Sequence, residues 1–124
     1  MSVPILEQGN VVIASLQQAT GDSDLDELQE RLLDRVSRHR ARGVVVDVSA
    51  VDVMDSYSVR VVRTIAQAAR LCGARTVIVG IQPEVAFSMT ELGIGPQLGI
   101  GLQGISTALD LDDGLLVLAS TADR

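Results

Sequence analysis

The sequence predicts an α/β protein: a mixed β-sheet with helices packed on it, entered through an N-terminal hairpin. Three observations lead there. The run Val44-Val45-Val46-Asp47-Val48-Ser49-Ala50 is nearly all apolar, rich in β-branched Val and too short for a globular helix, so it reads as a buried strand. A helical pattern then runs from Ser56 to a stop at Gly73. Strand-like runs and helix-like runs go on alternating after the opening hairpin.

In chain order, Val3 to Leu6 and Val11 to Leu16 are two short β-rich runs. The turn cluster Gln8-Gly9-Asn10 between them can close a hairpin. Thr20 to Ser23 is a loop. From Asp24 the residues Leu25, Leu28, Leu32, Leu33 and Val36 repeat at helical spacing, and Asp24-x-x-Glu27 resembles a capping box. Arg35 and Arg38 to Arg42 make the late half of this helix basic, which suits the negative end of its dipole, and Gly43 ends it.

The central strand follows, and then the second helix. Val59, Val62, Ile65, Ala66 and Ala69 form its apolar stripe, with Arg60, Arg63, Thr64 and Gln67 on the other side. Thr76 to Gly80 is another buried strand. Pro83 opens a third helix that runs to Gly93. The glycine-rich piece Gly93–Gly104 is a loop, Leu102 to Ser106 a last short strand, and Asp112 to Ala119 a final helix, leaving Thr121 to Arg124 as a frayed tail. Residues 1–124 read as one domain.

Composition narrows the function classes. The chain is 47% hydrophobic but only 2% aromatic, so its core is built from Val, Leu, Ile and Ala. One cysteine, Cys72, allows no internal disulfide, suits a reducing compartment, and reads as a small packed residue. A net charge of −6 argues against nucleic acid, which demands clustered positive charge. No secretory leader and no spanning apolar stretch are seen, so a cytoplasmic protein with no membrane partner is expected.

Chemical motifs were weighed against plainer roles. Gly99-Ile-Gly101-Leu-Gln-Gly104 fits the dinucleotide string G-x-G-x-x-G, but it follows a helix and too little chain remains for the ribose-binding acid. Asp110-Leu-Asp-Asp-Gly114 lacks the ligand register and the closing Glu of a calcium loop, and helix-start chemistry explains its acids better. Asp47, Asp52 and Asp55 have loop and cap roles open to them and no phosphate-handling machinery beside them. His39 lies among arginines with no G-x-S-x-G elbow in the chain. No enzyme signature, cofactor or metal site emerges.

Ser56 is the residue on which function turns. It sits where the loop after the central strand becomes the second helix. It can be an ordinary N-cap, accepting a backbone N–H. It can also be a phosphorylation site, because a helix N-terminus offers donors and positive potential to a dianion. Local sequence alone favours the cap, and the two roles are compatible.

The segments Val44-Val45-Val46-Asp47, Asp55-Ser56, Gly80-Ile-Gln-Pro-Glu-Val-Ala, Glu91-Leu-Gly93, Thr107-Ala-Leu-Asp-Leu and Gly114-Leu together resemble a STAS domain, the fold of anti-sigma-factor antagonists. Within that family the chain is most similar to the RsbS-type antagonists of the bacterial stressosome. Asp-Ser at the helix start is shared by many STAS proteins. The Gly-Ile-Gln-Pro segment joined to Thr-Ala-Leu-Asp-Leu is more particular to the stressosome branch.

The resemblance implies that Ser56 is the phosphoacceptor for a switch kinase of the RsbT type, with Ser58 a weaker neighbour. Ser88 matches the place of a second phosphorylatable threonine in RsbR-type paralogues. Asp55, Tyr57, Arg60 and Arg63 are the implied partner-binding residues. A homodimer and a large hetero-assembly with RsbR-type STAS paralogues are implied as well. The alternative within the family is a SpoIIAA-like anti-anti-sigma factor that binds an anti-sigma kinase directly. Two departures stand out: the Gly93–Gly104 loop is longer than the family pattern, and Tyr57 replaces a common phenylalanine.

Overall fold

The computed structural model describes residues 3–18, 20–91 and 105–121, with the side chains of 88–91, 120 and 121 left aside. The elements in order are β1 (Ile5–Gln8), β2 (Val11–Gln17), α1 (Asp22–Arg38), β3 (Gly43–Ala50), α2 (Ser56–Leu71), β4 (Arg75–Val79), α3 (Pro83–Glu91), β5 (Ile105–Ala108) and α4 (Leu111–Thr121). They form a five-stranded sheet in the order β1-β2-β3-β4-β5. β1 and β2 pair antiparallel across the Gly9-Asn10 turn, and the remaining neighbours are parallel. The expected hairpin and mixed sheet are both present.

The placement of its valines explains why the first half of the central strand is apolar on both faces. Val44, Val46 and Val48 join Val12, Ala14, Leu16 and Ile78 in one core cluster. The apolar stripes of α1 (Leu25, Leu28, Leu32, Val36) and α2 (Val59, Val62, Ile65, Ala69) close over that face. Val45 points the other way and packs with Val11, Ile13, Val77 and Val79 under Leu118 of α4. Both faces of β3 are thus covered, so period-two polarity has no place in it. α4 approaches the sheet closely at Gly114, where an added Cβ would lie 2.7 Å from Val79 Cγ1.

Several local expectations are corrected. α1 starts earlier than Asp24, with Gly21 as N-cap, and the Asp24 carboxylate accepts the Gly21 N–H at 3.3 Å. Asp24 therefore stands inside the first turn. α1 ends at Arg38, with His39 as C-cap. Gly43 does not terminate it but begins β3, and Arg40, at φ +50°, takes the left-handed conformation where the chain turns. Gly73 does supply the expected stop to α2, at φ +88°. Cys72, expected to be packed, is exposed. The Gly93–Gly104 segment, with its glycine string, lies outside the described residues, as does the Ser88 side chain.

Candidate phosphoacceptor site at the start of α2

The parallel strands β3 and β4 end on the same edge of the sheet, and the site is built there. β3 runs out at Ala50 and a short loop, Val51 to Asp55, leads into α2. Val51 and Met54 are buried and pin the inner side of this loop, while Asp52 and Val53 are exposed. Near the end of β3 the Asp47 carboxylate accepts the Ser49 N–H at 2.9 Å. The neighbouring connection is held against β3 from the other side. Gln82 donates through Nε2 to the Ser49 carbonyl at 3.0 Å, and Gly80, at φ +74°, lets the two backbones approach.

The cap of α2 is Asp55, not Ser56. Asp55 has extended backbone (φ −85°, ψ 174°), and its carboxylate accepts the Ser58 N–H at 2.8 Å. The Ser58 N–H, together with the Ser58 hydroxyl, holds the Asp55 carboxyl below its ordinary value of 3.8. A carboxylate so placed also suits the positive end of the helix dipole. Ser56 is then the first helical residue, exposed and relieved of capping duty. Ser58 is half-buried and engaged with Asp55, which sets it apart from Ser56 as a candidate acceptor.

The other expected site residues divide by exposure. Tyr57 is half-buried, and its hydroxyl donates to the Asp26 carboxylate, tying the start of α2 to α1. That bond is the main reason its phenol titrates above 10.0. Arg60, one turn after Ser56, is exposed. Arg63, expected on the open side of α2, is half-buried, as is Thr64. Val53, at 69% exposed, adds apolar surface to the loop, and Phe87 of α3 is 67% exposed.

A cavity of about 30 Å³ beneath the loop, lined by Leu16, Gln18, Val51, Val53, Met54 and Ser58 among others, is too small for an organic ligand. Among the described residues no three His, Cys, Asp or Glu side chains gather as a metal cluster. Asp110, singled out with the calcium-like string, accepts the Asp113 N–H at 2.9 Å and so caps α4. Sequence reasoning passed over Gln18, whose side-chain carboxamide bonds the backbone of Asp52 and Val53.

The STAS domain family model matches residues 3–113. The chain belongs to the STAS family. Two relatives from Bacillus subtilis (strain 168) are each 30% identical to it: the RsbT co-antagonist proteins RsbRA, over 119 residues, and RsbRB, over 98. These matches cover 93% and 73% of this STAS chain but only 43% and 35% of the two relatives. The chain thus spans less than half the length of either.

Solved structures of similar size agree. An RsbS from Moorella thermoacetica, carrying a serine-to-glutamate substitution, is 32% identical with a TM-score of 0.85, covering 98% of both chains. A chain from the stressosome, described as a signal integration and transduction hub, is 33% identical with a TM-score of 0.80, covering 98% of this chain and 100% of that one. The anti-sigma factor antagonist SpoIIAA, in its unphosphorylated form, shares the fold at a TM-score of 0.71 with 9% identity, covering 97% and 99%. The family and its stressosome branch, expected from the Asp-Ser and Gly-Ile-Gln-Pro segments, are those found. Among the described residues no helix is long and apolar enough to cross a membrane.

Proposed function

We propose that this single STAS domain is a non-enzymatic, RsbS-type antagonist that holds a switch kinase of the RsbT type and releases it when Ser56 is phosphorylated. The observation that carries the reading is the division of labour at the start of α2. Asp55 caps the helix, so the exposed Ser56 hydroxyl can take a phosphoryl group without removing a bond the fold uses. The 32% and 33% identities to RsbS and to a stressosome chain support this branch over a SpoIIAA-like role, for which 9% identity speaks only of fold.

Phosphorylation adds about −1.5 to −2 charges at neutral pH. The helix dipole favours that charge by roughly 0.3–1 kcal/mol, while the ionised Asp55 next door opposes it, so the domain beneath changes little. A docked kinase experiences the change directly. Its contact surface on this side comprises Ser56 and Arg60, with Asp55, Tyr57 and Arg63 shaping it, and a dianion there must be desolvated for the complex to persist. The kinase leaves and the fold stays. In the same reading the domain dimerises and co-assembles with RsbR-type paralogues. Mass spectrometry after incubation with the kinase and ATP tests the acceptor. Phosphate on Ser56, lost in Ser56→Ala, is expected; phosphate confined to Ser58 or Ser88 would overturn the assignment.

A further inference from the structure

β2 leaves the sheet one step too soon for the loop that carries the phosphoacceptor. Its last pairing is Gln17 with Ala50. Thr20 then closes a turn on Gln17, donating from Oγ1 to the Gln17 carbonyl at 2.8 Å and accepting the Gln17 N–H at 3.2 Å. The neighbouring chain continues as Val51 to Asp55, so the peptide groups of Asp52 and Val53 lie beyond the end of their partner strand.

The Gln18 carboxamide takes the place of that strand. Its Oε1 accepts the Asp52 N–H at 2.8 Å and the Val53 N–H at 3.4 Å. Its Nε2 donates to the Val53 carbonyl at 3.4 Å. One side chain therefore offers both an acceptor and a donor to adjacent peptide units, as a strand would. Val51 and Met54 fix the loop from within, and Gln18 fixes its exposed outer side. Asp55 and Ser56 follow directly.

We propose that Gln18 is a positioning residue for phosphorylation of Ser56, an inference that rests on the acceptor role given above. Phosphoryl transfer requires the serine oxygen in line with the transferred group, and a loop ordered beforehand brings less freedom to be lost in the complex. Gln18→Ala frees the Asp52 and Val53 peptides to bond water instead. Gln18→Glu keeps the acceptor and loses the donor.

Two measurements on the full chain test this separately. Hydrogen exchange, which needs no kinase, should show faster exchange at the Asp52 and Val53 amides in Gln18→Ala, with the β3 amides unchanged and the thermal midpoint little moved. Retained protection at those two amides overturns the tether. Initial rates with the kinase and ATP should show kcat/KM for Ser56 lowered about tenfold in Gln18→Ala, with Gln18→Glu in between. A wild-type rate in Gln18→Ala overturns the positioning role, whereas an unmodified Ser56 in the wild-type protein overturns the acceptor assignment and leaves the exchange result to judge the tether.

Discussion

The Asp55 carboxylate accepts the backbone N–H of Ser58 at 2.8 Å, and this bond leaves Ser56, the residue directly after the cap, with no capping duty for its hydroxyl. In the proposed reading, fold maintenance and signalling thereby fall to adjacent side chains. Changes at the two positions should have opposite consequences.

Asp55→Ala removes the cap and should destabilise the domain by about 1 kcal/mol in urea unfolding. The pH dependence follows from the lowered Asp55 pKa. A carboxyl bound more tightly to its donors in the folded state contributes fully above its ordinary 3.8, and the contribution fades as pH falls through the lower folded value. The stability gap between wild type and Asp55→Ala should therefore be constant near neutrality and narrow in acid.

Tyr57→Phe removes the hydroxyl that reaches Asp26. Because the folded phenol titrates above 10.0, its contribution is complete below that pH and is lost as pH rises through the folded value. Unfolding of the two proteins across the alkaline range should show their difference shrinking only beyond pH 10.0.

Gly80→Ala tests the packing that holds the two loops of the site together. At φ +74° an L side chain is strained, and the new Cβ would lie 2.6 Å from Ser49 Cβ. A loss of about 2 kcal/mol or more in urea unfolding is expected. The neighbouring Gln82 bond to Ser49 should loosen with it, seen as faster exchange at the end of β3.

Much of this architecture was legible because its signals are local. Valine-rich runs, the 3.6-residue stripes of α1 and α2, and the turn at Gly9 each lie within a short window of sequence. The cap of α2 was not, since Asp and Ser are both good N-caps and only the extended backbone at Asp55 separates them. The end of α1 was misplaced because Arg40, not a glycine, takes the left-handed turn. Gln18 was invisible for a different reason: its backbone partners are 34 and 35 residues away, and nothing in its neighbours marks a side chain that stands in for a strand. The Asp55-Ser56 pair stands out in the sequence, but only the backbone shows that Asp55 is the cap.

The central claim is that phosphate on Ser56 expels a partner from an intact domain. Its most direct test is the affinity of the switch kinase for the unmodified protein, for Ser56→Ala and for the protein phosphorylated at Ser56, with circular dichroism on each. Matching spectra, tight binding by the first two and at least tenfold weaker binding by the third are expected. Equal affinity for the phosphorylated and unmodified proteins, both folded, would contradict that claim.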